Sequence, residues 1–266
     1  MKGVFYKKLL KKEGNDMEIN IDNSIRQLRG KFLEISSLGY VKTVRSGSTG
    51  VGATFESLIG KTEDKLELPD YNGIEIKAKR AYSKSDICLF NASPKGDTEC
   101  ESKRIRDRYG YPDKKDRTLK RFAGKINANE LVKVGLFYKF ILRVDRKSKK
   151  VILCIYDWNG VCIDDSSYWN FEDLREKLNR KLSVLALVKA WTNNINGIEH
   201  FKYYKMNVYV LKSFDAFLDA LENGNIRVSF KIGNHYELER YGDVQAHGVG
   251  FVIKEEELDK IFDIYR

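Results

Sequence analysis

Apolar residues recur every three or four positions over residues 20–40, where Ile25, Leu28 and Phe32 follow one another. This spacing places the three side chains on one side of an α-helix. Gly39, near the end of the stretch, is a typical helix terminator. The pattern therefore predicts an amphipathic helix that packs its apolar side against a core.

The same reasoning predicts further helices and strands along the chain. The helices are expected at residues 54–60 (with Thr54 as N-cap), 170–193, 213–225 and 254–265. Alternating or fully apolar runs predict strands at residues 40–44, 86–93, 131–145, 149–160, 200–211, 226–233 and 247–253. This mixture is typical of an α/β protein whose sheet carries helices on its faces. Because Trp191 falls on a predicted amphipathic helix, we expect it to lie in the core, as do Trp158 and Trp169.

Residues 68–80 read LPDYNGIEIKAKR, with Asn72-Gly73 between two segments of alternating character. An Asn-Gly pair is a strong signal for a two-residue type I′ turn, because both central residues need a positive φ. Such a turn places Asp70 directly opposite Glu75. Two carboxylates are thus expected to face each other at the start of a strand.

Like charges that face each other on paired strands are destabilising, so a positive charge between them is expected. Lys77 is one candidate, because alternation along the strand puts it on the same face as Glu75. A divalent cation such as Mg²⁺ is the better candidate, since it binds carboxylates together with water and phosphate oxygens. A solvated hairpin with ordinary surface charges is the alternative that this stretch alone leaves open.

The charge balance indicates a polyanionic partner. The net charge is +10, and the pI is about 9.2. Residues 103–125 hold ten Lys and Arg against three Asp, and residues 139–150 hold six against one. Neither block has the apolar spacing of an amphipathic membrane helix. Although a charge run is often only a solvated face, two dense blocks favour contact with a phosphate backbone.

Several other chemistries lack their motifs. The glycine-rich loop at residues 45–53 does not end in Lys-Ser or Lys-Thr, as a phosphate-binding P-loop does. The three histidines have no partner at metal-ligand spacing, and no nucleophile elbow is present. A glycosidase would have little use for so basic a chain. Carboxylate–metal–lysine chemistry on a basic surface is what remains.

Cysteine usage and hydropathy indicate where the protein works. The four cysteines form no C-x-x-C pair, and no apolar run of about 18 residues occurs. The basic start of the chain lacks the apolar region of a secretory signal. We expect a protein of the reducing cytoplasm with no structural zinc and no membrane partner.

Three consecutive segments resemble one known family. YVKTVRSGSTGVGATFESLIG, LPDYNGIEIKAKR and SDICLFNASPKGD together are similar to the MvaI/BcnI family of type II restriction endonucleases, relatives of the MutH mismatch-repair nickase. The similarity covers roughly residues 38–262 and continues through YGYPD, FKYYKMNVY and AHGVGFVI. The resemblance implies the PD-(D/E)XK nuclease fold, an α/β fold in which helices flank a mixed sheet and two lobes surround a DNA cleft.

The resemblance also implies roles for individual residues. Asp70 and Glu75 would bind Mg²⁺, or Mn²⁺ in its place, together with the carbonyl of Ile76. Lys77 would hold the attacking water and help to deprotonate it. Glu56 would be the family's additional carboxylate, which orients the site or reaches the metal through water. The expected DNA contacts are Arg45, Thr49, Lys79, Lys95, Arg240 and His247.

The C-terminal motif departs from the family pattern. Where the family usually reads Asp-His-Gly-Thr-x-Phe-Arg-Ile, this chain reads AHGVGFVI at residues 246–253. His247 and Phe251 are kept, whereas the acid, the threonine and the arginine are not. Either the target differs from the CC-x-GG type of close relatives, or this strand contributes only structure.

These expectations describe a monomeric, Mg²⁺-dependent endonuclease that cleaves double-stranded DNA at a short specific sequence and nicks one strand at a time. Its segments would be an N-terminal extension (residues 1–20), a catalytic lobe (21–165) and a DNA-recognition lobe (166–266), with a single domain as the alternative. A cognate DNA methyltransferase is expected as a genetic partner without a stable complex. The alternative functions are a MutH-like repair nickase and an inactive DNA-binding protein on the same scaffold.

Overall fold

The computed structural model describes the backbone of residues 7–12, 15–61 and 68–266, and the side chains of residues 20–61, 68–245 and 248–266. Its helices are α1 (Ile21–Ser37), α2 (Gly50–Leu58), α3 (Glu101–Tyr109), α4 (Phe171–Leu182) and α5 (Phe214–Glu222). Its strands are β1 (Lys7–Lys12), β2 (Asn15–Asn20), β3 (Val41–Lys42), β4 (Glu75–Arg80), β5 (Ile87–Asn91), β6 (Tyr111–Pro112), β7 (Lys120–Ile126), β8 (Val132–Val134), β9 (Tyr138–Asp145), β10 (Lys150–Tyr156), β11 (Cys162–Asn170), β12 (Val184–Ile195), β13 (Ile198–Leu211), β14 (Ile226–Asn234), β15 (Val244–Ile253) and β16 (Phe262–Ile264). The predicted α/β class is confirmed. None of the described helices has the length and apolar character needed to cross a membrane.

The chain forms two compact units whose segments interleave along the sequence. The first unit comprises Met1–Ser85, Lys177–Lys212 and Phe262–Arg266. The second comprises Asp86–Glu176 and Ser213–Ile261. The expected lobes were contiguous stretches, whereas each observed unit collects separate segments, because strands of one sheet lie far apart in sequence. The functions expected for the two lobes stay predictions.

One mixed sheet organises the first unit. Its strand order is β16–β13–β12–β4, with β3 on β13, and β4 and β12 are its parallel pair. One face packs on α1 and α2 through Ile74, Ile76 and alternate residues of β12. Glu75 and Lys77 point to the other face, which confirms the predicted alternation along β4. We call this second face, which carries Glu75 and Lys77, the acidic-pair face.

The helix predicted at residues 170–193 is wrong in its second half. Helix α4 ends at Leu182, and the following residues form β12. From Val184 to Val188 every side chain is buried, because β12 lies between β4 and β13 and is covered on both faces. Such strands read as continuous apolar runs, so their periodicity does not separate them from a buried helix.

The helix predicted at residues 254–265 is also wrong. Glu255–Lys260 form a 3₁₀ turn, and β16 then adds to the edge of the first sheet by pairing with the end of β13. Leu258 and Phe262 are buried there. Strand pairing and burial therefore override the helical tendency of the glutamate-rich segment.

Two further sheets, β5–β15–β14–β7–β6 and β11–β10–β9–β8, build the second unit. Its core contains packed aromatic rings. Trp169 lies 5.6 Å from Phe251 between ring centroids and is 2 % exposed, which confirms its predicted place. The prediction is wrong for Trp158, which is 64 % exposed, and for Trp191, which lies partly exposed on β12.

Two arginines of the first basic block belong to the interior of the second unit. Arg104 on α3 binds both Glu101 and Asp164, and all three side chains are nearly buried. Arg106 donates hydrogen bonds to the Asn234 side chain and to nearby carbonyls. These two charges hold the unit together, so only part of the block is available as a basic surface.

Candidate catalytic site

The turn before β4 has the predicted geometry. Asn72 and Gly73 both have positive φ, at 41° and 87°. Tyr71 and Ile74 exchange two backbone hydrogen bonds of 2.9 and 2.8 Å. This two-residue turn brings Asp70 back to the start of β4.

Two contacts hold Asp70 in place. Its Oδ2 accepts a hydrogen bond of 2.8 Å from the backbone N–H of Ile76. Its Oδ1 pairs with the ammonium of Lys61, which follows α2. Asp70 thus takes the place of a strand partner for Ile76, and its carboxylate is fixed at the edge of the sheet.

Glu75 is 1 % exposed. The Nζ of Lys77 donates a hydrogen bond of 2.5 Å to its Oε1, and the Nζ of Lys181 lies 3.7 Å from the same oxygen. Its other oxygen, Oε2, is buried, and no described residue forms a hydrogen bond with it. Burial raises the pKa of Glu75 above its ordinary value of 4.5; the charge of Lys77 opposes this rise, and that of Asp70 adds to it.

We expect Glu75→Gln to raise the thermal stability of the protein at neutral pH. Below pH 4.5 the carboxyl is protonated in both the folded and the unfolded chain, so it costs no stability. As the pH rises from 4.5 through the raised folded pKa, the unfolded chain ionises first and the folded state loses stability. Glutamine removes this loss. The melting temperature, followed by circular dichroism across this pH range, measures the difference.

The control for this stability test is Glu34→Gln, which makes the same chemical change at an exposed position of α1. Its melting temperature should follow that of the wild type at every pH. A Glu75→Gln protein that melts below the wild type at neutral pH would contradict the assignment of a destabilising buried charge.

Helix α2 supplies a third acid, Glu56. Burial raises the pKa of Glu56, and the negative charge of Asp70 raises it further. The positive charges of Lys61, Lys77 and Arg45 lower it. Glu56 therefore lies within electrostatic range of the acid and lysine cluster at the start of β4.

The glycine-rich loop ends in α2 earlier than predicted. The helix begins at Gly50, with Thr49 at the N-cap position, so the predicted N-cap Thr54 is wrong. Thr54 Oγ1 instead donates a hydrogen bond of 2.8 Å to the Gly50 carbonyl and accepts one from Val44 N. A Cβ on Gly50 would lie 2.5 Å from the Arg45 carbonyl oxygen, so the close return of this loop requires glycine.

The predicted DNA contacts are divided between the two units. Those in the unit of the acidic pair are Arg45, Thr49 and Lys79. Those in the other unit are Lys95, Arg240 and His247. Only the first set is therefore brought together with the candidate catalytic residues inside one compact unit.

The three predicted DNA contacts in the second unit have different surroundings. Lys95 forms an ion pair of 2.6 Å with Asp173, and Arg240 lies 3.7 Å from Asp243. The backbone of His247 belongs to β15, but its side chain lies outside the described residues. Their roles in DNA binding stay predictions.

The altered motif on β15 contributes to the core. Val249 and Val252 stand where the family usually has threonine and arginine, and they are 1 % and 7 % exposed. Neither side chain can donate a hydrogen bond to a base edge, as direct readout requires. Of the two alternatives for this strand, the structural one fits these two positions.

The donor set fits a magnesium ion. Asp70 and Glu75 supply hard carboxylate oxygens, and the buried Oε2 of Glu75 makes no hydrogen bond to the described part of the chain. No group of three His, Cys, Asp or Glu side chains forms a metal-binding cluster among the described residues. Mg²⁺ usually takes one or two carboxylates and completes its shell with water and phosphate oxygens.

Sequence reasoning missed two lysines of this cluster. Lys61 is the partner of Asp70, and its weak signal is its position directly after the helix that carries Glu56. Lys181 near the end of α4 gave no signal, because it approaches Glu75 only through the folded sheet.

The fold is shared with solved restriction endonuclease structures. The complex of restriction endonuclease MvaI with its cognate DNA matches with a TM-score of 0.82 and 29% identity, covering 91% of this chain and 97% of that one. MvaI in the absence of DNA matches with a TM-score of 0.61 and 29% identity, covering 91% and 96%. The family model of the MvaI/BcnI restriction endonucleases matches residues 29–262. Among curated proteins, none matches the chain.

A mixed sheet flanked by helices, shared with MvaI over most of the chain, defines a DNA endonuclease with the PD-(D/E)XK type of fold. The class implied by the sequence resemblance is therefore confirmed. The chain belongs to the MvaI/BcnI restriction endonuclease family.

Proposed function

We propose that the chain is a Mg²⁺-dependent type II enzyme that hydrolyses double-stranded DNA at a specific short sequence. The observation that carries the proposal is the buried Oε2 of Glu75, to which no described residue donates a hydrogen bond, at the site that Asp70 and Lys77 complete. The matched MvaI structure holds cognate DNA, which supports double-stranded DNA as the substrate. The net charge of +10 suits the same polyanion.

The two acids are the metal ligands in this proposal. Asp70 and Glu75 would hold Mg²⁺ with the carbonyl of Ile76, and Mn²⁺ would substitute. When bound, the ion lowers the pKa of water and stabilises negative charge on the scissile phosphate. The fixed position of Asp70 on the Ile76 N–H keeps its carboxylate ready for this task.

Lys77 and Glu56 have the remaining roles in the proposed hydrolysis. The Nζ of Lys77 holds the attacking water, and its positive charge favours loss of a proton from that water. The 2.5 Å hydrogen bond to Glu75 holds this ammonium at the carboxylate, and the Lys77 side chain stays 27 % exposed. Glu56 orients the cluster through its charge.

The DNA contacts and assembly follow the family resemblance. Phosphate contacts come from Arg45, Thr49, Lys79 and Lys95, and further contacts come from Arg240 and His247. The enzyme acts as a monomer in the cytoplasm, nicks each strand in turn and shares its target with a cognate methyltransferase.

The test is incubation of the protein with supercoiled plasmid DNA in Mg²⁺, with Mn²⁺ and excess chelator as parallel reactions. We expect discrete linear fragments with either metal and intact plasmid with chelator. Open circles that precede linear product would support nicking of one strand at a time. Sedimentation velocity on the free protein and on the DNA complex measures whether the acting species is a monomer.

Other outcomes would contradict the proposal. A retarded but uncut plasmid indicates an inactive DNA-binding protein on this scaffold. Open circles that never become linear indicate a nickase that needs a partner. Cleavage at full rate in excess chelator would rule out the metal-dependent mechanism.

A further inference from the structure

Three lysines form a row across the acidic-pair face. Lys79 on β4 is in register with Lys189 on β12, and Lys189 is in register with Lys205 on β13. Residues in register on neighbouring strands have side chains on the same face of a sheet. The row therefore crosses three strands, and it lies two residues beyond Lys77, which corresponds to about 7 Å along the strand.

A β-bulge places the last lysine of this row. The pairing of β12 with β13 shifts register between Lys189 and the next residue, so Tyr204 is the extra residue of β13. Tyr203 and Met206 both pack on the apolar core below the sheet. The two residues between them, Tyr204 and Lys205, consequently face the other way, and both are exposed.

Three aromatic rings continue the surface beyond the lysine row. The centroids of Tyr82 and Trp191 are 5.2 Å apart, and those of Trp191 and Tyr204 are 4.7 Å apart in a stacked arrangement. Tyr82 is 86 % exposed. Lys202 is in register with Trp191, so a further positive charge accompanies the rings. Aromatic surface therefore faces solvent beside lysines on this side of the sheet.

Exposed apolar patches mark interaction sites, and lysines beside such a patch attract an anionic partner. A chain that is anionic and also presents flat apolar groups suits both features. DNA has these properties, since its phosphates bind lysine while its sugars and bases pack against aromatic rings.

We propose that Lys189 and Lys205, together with the rings of Tyr82, Trp191 and Tyr204, form a binding track for the DNA strand next to the scissile phosphate. These two lysines bind phosphates adjacent to the one at Lys77, and the rings pack against the sugar and base that follow. Lys79, which is only 8 % exposed, forms the buried end of the row. This inference rests on the proposed function, because it takes the site of Asp70 and Glu75 as the place of cleavage.

Binding to a fluorescein-labelled duplex, measured by anisotropy at several salt concentrations with chelator present, tests the lysine row. Each phosphate contact contributes close to one unit to the slope of log affinity against log salt. We expect Lys189→Ala and Lys205→Ala each to lower the slope by about one. Arg26→Ala removes an exposed charge from α1, which covers the opposite face, and should leave the slope unchanged.

Tryptophan fluorescence and binding measurements test the aromatic rings separately. Trp191→Phe keeps an aromatic ring, so the protein should still bind the duplex. The change in tryptophan fluorescence on binding should be lost in this variant and kept in Trp158→Phe. Tyr82→Ala, at an exposed position, should weaken binding without lowering the melting temperature.

The outcomes separate this inference from the proposed function. Row variants that bind with the wild-type slope, or a Trp191→Phe protein that keeps the full fluorescence change, would overturn the binding track even if plasmid cleavage succeeds. Lower slopes together with no plasmid cleavage would retain the track as a DNA-binding surface and reject the catalytic proposal. A loss of affinity explained entirely by unfolding in thermal melts would also overturn it.

Discussion

Replacement of Lys77 by alanine is expected to lower the rate of DNA cleavage by about three orders of magnitude while DNA affinity stays nearly unchanged. The variant removes the ammonium that donates a hydrogen bond to Glu75 Oε1 and that we assign to the attacking water. Affinity should survive because Lys77 is one positive charge among 48 Lys and Arg. Single-turnover cleavage and anisotropy titration in chelator measure the two effects separately.

Arg26→Ala is the matched control for Lys77→Ala, because it removes one exposed positive charge from α1 in the same unit. It should cut at the wild-type rate. If the Lys77→Ala protein also cuts at that rate, the role assigned to the lysine is wrong. If its rate falls only in proportion to a loss of affinity, Lys77 binds substrate without taking part in the chemistry.

Replacement of Arg104 by methionine is expected to lower the free energy of unfolding by about 3–5 kcal/mol. Its guanidinium binds Glu101, Asp164 and the Ser167 hydroxyl, and methionine would leave two nearly buried carboxylates without their cationic partner. Urea denaturation followed by circular dichroism measures the loss. Lys103→Met, one residue earlier on α3, is the control, because its ion pair with Asp107 is exposed and contributes less than about 1 kcal/mol.

The pH dependence gives an independent check on this network. Burial alone would raise the pKa of Asp164, but hydrogen bonds from Arg104 and Tyr109 lower it well below its ordinary value of 3.8. A depressed pKa gives stability that is present above pH 3.8 and is lost as the pH falls toward the folded pKa. The Arg104→Met protein should lose less stability on acidification than the wild type. Equal acid sensitivity would contradict the assigned pairing.

Local features of the candidate site could be predicted from sequence because neighbouring residues determine them. The positive φ values at Asn72 and Gly73 and the alternation along β4 depend on the Asn-Gly pair and on the two-residue period of a strand. These features were enough to place Glu75 and Lys77 on one face and Asp70 beside them. These local features do not indicate which residues from distant segments pack against that face.

Non-local features could not be predicted. Leu185 and Leu187 repeat at a spacing that suits a strand, but they also continue an apolar pattern that begins in α4. The pattern therefore does not show where the helix ends and the strand begins. Lys181 approaches Glu75 only after β12 has paired with β4. Arg104 reads as one charge in a basic run, although buried acids from other segments surround it.

The parallel pairing of β4 with β12 also sets the order in which the molecule can be completed. The segment Asp86–Glu176 lies between these strands in sequence and belongs to the other unit. A ribosome therefore releases Asp70, Glu75 and Lys77 long before it releases β12, the strand that pairs with β4. The central sheet forms late in synthesis, so a nascent chain that stalls inside the inserted segment carries the acids without the strand that pairs with β4.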